Sequence, residues 1–358
     1  METIDPRITA LVLTRMNGRH ASACRQLVRG GLSLSQPLLI GTECPDLADA
    51  IRRERLFSDA EASLKRWEEQ GISAISLECS RYPWRLRFHP KAPLLLFVRG
   101  AGSHVLAELE STPTVALVGS RNASPRGCEL AAQFARDLRA FRVCIISGLA
   151  LGIDGAAHQG ALQSTHEGDC PTIAVLGNGL HAVYPSTHRV LARRILDRGG
   201  ILISAYEPGT LPLPAYFLER NGLIAYLSRA VVVVQAALRS GALSTARWTL
   251  EAGGEVMAVP GAVGDLRHTG THQLIRDGAH LVTSAADIAA VLGIATPPTD
   301  DRPHVAPADL RALFEQHGSV LPRSQLIAAD GPLSLAELIA LECDGVVSFL
   351  PGDLVRLN

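Results

Sequence analysis

The stretch V-A-L-V-G-S-R-N-A-S-P-R-G, residues 115–127, decides the reading of the fold. Its first four residues are apolar without alternation, the pattern of a strand covered on both faces. Gly119 ends the run. Ser124 before Pro125 reads as an N-cap followed by a proline at the first helical position, opening a helix over Arg126–Arg139. A buried strand, a turn of small residues and a helix start make an anion site, because the first N–H groups of a helix lack partners and its dipole favours negative charge. Arg121 stands in that turn with a guanidinium fork suited to phosphate.

Working outward, the same rhythm repeats from Pro113. Strands read at Val115–Val118, Val143–Ser147, Thr172–Leu176, Ile201–Ser204, Ala230–Gln235 and Glu255–Val259, with helices between several of them, including Pro185–Asp197 and Ala242–Glu251. This predicts an α/β fold, a parallel sheet with helices on both faces, whose ligand edge is the carboxyl end of the strands. The turns at that edge carry small residues. They include Ser147, Gly148, Gly152 and Asp154 before a helix starting near Ile153, Gly177 and Gly179 after Leu176, and Ser240 and Gly241 after Gln235. Such a row points to a phosphate-bearing ligand.

Upstream, residues 7–66 read as short helices, with Cys24–Gly31 ending in a glycine cap and Pro45–Trp67 amphipathic. This is a packing or interaction module. A strand at Ile72–Leu77, a proline-punctuated connector and a strand at Leu94–Val98 follow. Downstream, the proline-rich run Ala295–Pro307 is a linker, and Ala308–Gln316, Pro322–Ile327 and Leu333–Cys343 read as three helices before a hairpin-like segment. Three helices and a β-ribbon make a winged-helix pattern, and Glu337, Glu342 and Asp344 favour an interaction module over a DNA reader there. The expected domains are a helical one of the SAM or helix-hairpin-helix kind over residues 1–70, a Rossmann-like one over 71–294, the linker 295–307, and a winged helix over 308–358.

Composition narrows the classes. The 358 residues are 47% hydrophobic, enough for a real core, and no apolar run approaches the roughly 20 residues of a membrane span. The start, M-E-T-I-D-P-R, has acids where a signal peptide would carry a basic region. Seven cysteines, never in a C-x-x-C pair, suit a reducing cytoplasm and argue against a disulfide framework or a zinc ribbon. With a formal charge of −1, any nucleic acid must be bound in a local groove. Lys65 and Lys91 are the only lysines, so the cations are nearly all arginine.

Several constellations invite a catalytic reading. Gly177–Ala182 matches G-x-G-x-x-A after a strand, but Pro185 interrupts the expected helix and no acid follows at the right distance. Ser147, Asp154 and His158 suggest a triad, yet Asp154 and His158 are four apart on one helix and more naturally tie its start together. His268 and His272 have helical metal-pair spacing, but Thr269-Gly270-Thr271 between them does not read as helix. Arg220-Asn221, following Tyr216-Phe217 and opening an apolar helix, is either a phosphate clamp beside an aromatic platform or a capped helix. No paired carboxylates, activated nucleophile or metal cluster stands at the turns, and no cofactor is expected, so binding explains these residues better than bond-breaking.

Taken together, the motifs resemble those of the DprA/Smf family of DNA-processing proteins. The likeness lies in V-A-L-V-G-S-R (115–121), S-G-L-A-L-G-I-D-G-A-A-H-Q-G-A-L (147–162) and T-I-A-V-L-G-N-G-L-H-A-V-Y-P (172–185). It continues in F-L-E-R-N-G-L-I-A-Y-L-S (217–228), S-G-A-L-S-T-A (240–246), A-V-P-G (258–261) and G-T-H-Q-L-I-R-D-G-A (270–279), and R-Y-P-W-R-L-R-F-H-P-K-A-P-L-L-L-F-V-R-G (81–100) looks like the family's lead-in. The resemblance implies an extended Rossmann-like core that binds single-stranded DNA, forms a homodimer and loads RecA onto incoming DNA in natural transformation. On it, the Gly-Ser-Arg motif falls on Gly119, Ser120 and Arg121, the second phosphate turn on Ser147–Asp154, and the Arg-Asn motif on Arg220 and Asn221.

The chain departs from the family pattern at Leu151, Ala205, Gly222, Gln235, Gly254 and His272. Glycine at 222, where an arginine is usual, would remove one phosphate contact and weaken DNA affinity accordingly. The competing class is a Rossmann-like nucleotide-binding or nucleotide-hydrolysing enzyme, for which Asp154 is the one plausible carboxylate.

Overall fold

In the computed structural model, the structure describes residues 4–15, 25–26, 28–31, 33–36, 54–100, 106–107, 109–163, 170–294, 314–316, 318, 320–327, 338, 341–342 and 346–357. The elements run α1 (Pro6–Arg15), α2 (Glu54–Glu69), β1 (Ile72–Ser76), α3 (Trp84–Arg87), β2 (Leu95–Gly100), β3 (Thr114–Val118), α4 (Pro125–Ala140), β4 (Cys144–Ser147) and α5 (Ile153–Ala161). Then come β5 (Thr172–Leu176), α6 (Arg189–Asp197), β6 (Ile201–Ser204), α7 (Pro214–Leu227), β7 (Ala230–Val233), α8 (Ala242–Glu251), β8 (Glu255–Ala258), α9 (Thr269–Arg276), β9 (His280–Leu281) and α10 (Ala285–Val291).

The unalternating apolar run of β3 has a direct cause. Successive side chains on a strand point to opposite faces. Ala116 and Val118 enter a core with Leu223, Ile224 and Ala246 from α7 and α8. Val115 and Leu117 enter a second core with Phe134, Leu138 and Ile288 from α4 and α10. Both faces are covered, so both parities must be apolar.

The nine-stranded sheet has the order β1-β2-β6-β5-β4-β3-β7-β8-β9. From β3 the chain winds outward through β4, β5 and β6, all parallel, then returns to place β7 on the other side of β3, with Val115 opposite Ala230. The strand order therefore reverses between β3 and β7. In an open α/β sheet that reversal opens a crevice at the carboxyl ends of the two strands.

Two strands extend the parallel pattern. β2 pairs antiparallel with β6 and β1 antiparallel with β2. The helices α1 and α2 pack on this edge, placing Leu11, Leu64 and Trp67 in one core with Ile75, Leu96 and Phe97. Trp67 meets Phe97 edge-on, ring centroids 5.4 Å apart.

The chain divides into two compact units, Met1–Ala295 and Thr296–Asn358. In the second, β10 (Val320–Pro322), β12 (Leu354–Leu357) and β11 (Val347–Leu350) form an antiparallel sheet in that order, with α11 (Arg323–Ile327) beside it. Leu321, Leu326, Val347 and Val355 make its core. Pro322 closes a strand instead of opening a helix; it has no N–H to give a ladder, and the terminal position of a strand tolerates that. The expected linker, and much of the helices expected at 308–316 and 333–343, lie outside the described residues.

Candidate nucleic-acid interface

A cleft of about 370 Å³ occupies the crevice between the ends of β3 and β7. Gly119, Ser120 and Arg121 line it from the turn after β3, Asp154 from α5, Phe217, Arg220 and Asn221 from α7, and Arg239, Ser240 and Gly241 from the turn after β7.

The β3 turn is held rigidly. The Ser120 N–H donates to the Gln235 carbonyl at 2.7 Å, the Ser120 carbonyl accepts from Ile153 N at 3.3 Å, and the Ser120 hydroxyl accepts from Asn122 N at 3.1 Å. Position 119 must be glycine, since a Cβ there would lie 2.6 Å from Ile153 Cγ1 and 2.8 Å from the Gln235 carbonyl. From this fixed turn Arg121 projects into solvent, its guanidinium carbon 5.2 Å from the Phe217 ring centroid. That is cation–π range, and it leaves the other guanidinium face and edge for a ligand.

The start of α4 is not part of this opening. Ser124 Oγ accepts from Gly127 N at 3.0 Å, while Gln235 Oε1 accepts from Ser124 N at 3.0 Å and Gln235 Nε2 lies 3.0 Å from His268 Nε2. A Cβ on Gly127 would come within 2.4 Å of Gln235 Oε1. The Ser124 and Gly127 N–H groups are thus taken up within the protein, and Arg121, Arg220 and Arg239 supply the positive charge among the side chains lining the cleft.

No catalytic triad forms among Ser147, Asp154 and His158, and the expected Asp154–His158 tie is absent. The Ser147 hydroxyl donates to the Leu117 carbonyl at 2.6 Å, and His158 Nδ1 meets Thr172 Oγ1 at 2.7 Å. Because the Thr172 hydroxyl itself donates to Ile145 O at 2.7 Å, His158 must be the donor, which fixes its neutral tautomer. Asp154 Oδ2 instead accepts from Gly148 N at 3.1 Å and pins the turn before α5. Burial pushes its pKa up, against the pull of Arg220 and the backbone amides. Gly152 has φ +76° and faces the Ser120 carbonyl, 2.2 Å from where a Cβ would sit, so the two turns interlock.

Arg220-Asn221 lies in the middle of α7, not at its start. Pro214 occupies the first turn of that helix. Arg220 is 3% exposed, donates from Nη1 to the Val175 carbonyl at 2.7 Å, and has its pKa lowered by burial. It is a buried positive charge in the cleft floor instead of a free clamp. Asn221 Nδ2 donates to Gly241 O at 3.2 Å and Ser244 Oγ at 3.1 Å, tying α7 to the turn that opens α8.

The cleft thus gathers Gly119, Ser120, Arg121, Asp154, Arg220, Asn221, Ser240 and Gly241. Ser147, Gly148 and Gly152 do not line it; the bonds and close approaches above fix the turns that do. Gly177 and Gly179 do not line it either: their loop closes on residues 207–210, with Gly179 N donating to Thr210 O at 2.9 Å and His181 N to Pro208 O at 2.9 Å. Arg239 is a cation that sequence reasoning passed over, although it stands in the turn after β7 where the topology directs attention.

The unusual positions are explained mostly by packing. Gly222 is buried against His89, whose Nε2 would lie 2.4 Å from a Cβ, and the position does not line the cleft. Gly254 abuts the Arg229 carbonyl, 2.8 Å from a Cβ. Thr269-Gly270-Thr271, expected outside a helix, forms the first turn of α9, and His272 Nε2 lies 3.1 Å from the Gly261 carbonyl. Nothing in the structure explains Leu151, which is exposed.

A doubly wound α/β core with arginines and a phenylalanine lining the crevice at its switch point defines a protein of Rossmann-like architecture. The chain belongs to the DNA recombination-mediator protein A family, whose model matches residues 73–293. It is 38% identical over 267 residues to the DNA processing protein DprA of Streptococcus pneumoniae, covering 73% of this chain and 89% of that protein. It is 37% identical over 315 residues to protein Smf of Escherichia coli K12, covering 83% and 81%. Among solved structures, DprA of Streptococcus pneumoniae superposes with a TM-score of 0.66 at 35% identity, covering 80% of this chain and 98% of that one. DNA processing protein A of Helicobacter pylori, described with a unique single-stranded DNA binding mode, gives a TM-score of 0.54 at 26% identity, covering 62% and 95%.

Proposed function

We propose that the switch-point cleft binds single-stranded DNA, without strong sequence preference, and that the protein acts as a DNA-processing recombination mediator. One observation carries this: Arg121 is stacked on Phe217 at the cleft mouth, beside Arg239 and above the buried charge of Arg220. Cations for the backbone and a ring for the bases are what a sequence-tolerant single-strand site requires. The single-strand binding of the Helicobacter pylori relative supports the same reading. As the resemblance of the sequence motifs implies, we extend this reading to a homodimer in the cytoplasm that hands the strand to a RecA recombinase. Among the described residues no helix is long and apolar enough to cross a membrane.

The role is one of binding, not turnover. Ser147, Asp154 and His158, the groups closest to a catalytic set, are each committed to fixing backbone or a neighbouring hydroxyl. The test is a titration with a single-stranded oligonucleotide and its duplex at two salt concentrations, with phosphate release followed alongside. Preference for the single strand, with affinity falling as salt rises, is expected. Equal affinity for blunt duplex would sink the reading, and steady phosphate release abolished by Asp154→Asn would favour the enzyme.

A further inference from the structure

On the other flank of α7 lies a second cavity, of about 610 Å³. Leu94 and Leu95 of the β2 edge, Leu223 of α7 and Trp248 of α8 line it, together with Lys91, Arg247 and Arg25. Leu218, 58% exposed, lines both this cavity and the switch-point cleft, so the two share one ridge.

We propose that this cavity is a second subsite for the same single strand: a base packs against Trp248, and the adjoining phosphates meet Lys91 and Arg247, as the strand leaves the cleft over Leu218. The proposal rests on the reading of the cleft as a single-strand site.

Three observations support it. First, the cavity supplies both components such a track needs, cations for the backbone and a flat ring for a base. The other large cavity of this unit, lined by Arg99, Arg189 and Arg193, is cationic but has no Phe, Tyr or Trp in its wall. Second, the site is built around one residue. His89, 3% exposed, lies 5.0 Å from the Trp248 ring centroid at a tilt of 34°, and its Nδ1 accepts from the Lys91 N–H at 2.9 Å. One imidazole therefore fixes the stacking ring and the backbone of the cation together, and burial, which holds its pKa near 4, keeps it neutral. Third, charge complementarity is positive. The one acid of the wall is Glu219, which accepts from the Tyr206 hydroxyl at 2.9 Å.

The experiment compares binding of a thymidine 20-mer to the full-length protein and to its variants. Lys91→Glu with Arg247→Glu should lower affinity about tenfold or more at low salt and make the logarithmic salt dependence shallower by roughly 1.4, two single-strand contacts. Glu219→Gln should raise affinity. Trp248→Phe should abolish the change in tryptophan emission that the 20-mer causes. Unchanged affinity and salt slope in the charge-reversed variant, while Arg121→Ala still weakens binding, overturns the second subsite and leaves the cleft standing. An emission change that survives Trp248→Phe also overturns it. If Arg121→Ala has no effect, the reading of the cleft fails instead.

Discussion

Arg220 occupies the space that any side chain at Gly148 would need: a Cβ there would lie 1.6 Å from Nη1 and 2.3 Å from Cζ. The guanidinium is buried among backbone, bonded to the Val175 carbonyl, and cannot swing into solvent without leaving that bond. Gly148→Ala should therefore lower unfolding stability by about 1–3 kcal/mol, the usual cost of forcing extra volume into a packed site. Single-strand affinity should fall with it, because Arg220 also lines the cleft. An unchanged denaturation midpoint would show that Arg220 has an alternative seat.

Arg121→Ala should weaken single-strand binding by about 1.5–3 kcal/mol, the range for a hydrogen bond involving charge, with a shallower salt dependence. Its thermal midpoint should hold, since Arg121 is exposed and stacks only at the cleft mouth. Phe217→Leu should weaken binding too, by about 1–3 kcal/mol for a lost stacked base, but leave the salt slope alone. Two titrations at graded salt on each variant separate the contributions. A lowered midpoint with intact affinity in Arg121→Ala would remove it from the interface.

The protein should lose stability on mild acidification. Burial holds His158 near pKa 3 and His89 near 4, against 6.5 for a free histidine. Below about pH 6.5 the unfolded chain takes up protons that the folded chain refuses, so stability falls as pH drops toward 4, by up to about 1.4 kcal/mol per pH unit for each histidine. Urea midpoints at pH 7.5, 6 and 5 measure this. The His89→Gln, His158→Gln double variant should be less stable at pH 7.5 and show a flatter profile. An equally steep profile would place the proton uptake elsewhere.

Gly222→Arg, which introduces the charge that the sequence motif led one to expect there, should destabilise this chain without strengthening DNA binding. The new side chain would have to displace His89, and with it the contacts to Tyr226 and Trp248. A variant with tighter single-strand binding and an unaltered melting temperature would contradict this.

A chain ending at residue 295 should fold and still bind the oligonucleotide, because the switch-point cleft belongs wholly to the first compact unit. Loss of most affinity, or an insoluble product, would assign the second unit a part in binding or folding.

Much of the parallel core was legible because its strands are buried on both faces and each is followed by glycine-bearing turns; Thr172–Leu176 and Ile201–Ser204 stand where the sequence places them. The antiparallel extension by β1 and β2 was not, since apolar runs such as Leu94–Val98 do not declare the direction of their partner. The turn residues at the cleft were legible from topology. The environment of Arg220 was not, although Pro214 signals where its helix begins. The role of Gln235 depended on Ser124, 111 positions away, a pairing with no local signature. Gly222 read as a missing charge, and only its contact with His89 shows that it is a packing position.

The cleft lies between β3 and β7, adjacent in the sheet but more than a hundred residues apart in the chain, and this sets when it can exist. During N-to-C synthesis β3, β4, β5 and β6 can assemble in turn, but the β3 flank stays an open edge until β7 emerges to pair Val115 with Ala230. The Ser120 amide waits for the Gln235 carbonyl until the same moment. A ribosome-bound chain short of that point exposes unpaired β3 backbone, a template for mispairing. The strand whose following turn completes the binding cleft is therefore also the one that closes the β3 edge of the nascent chain.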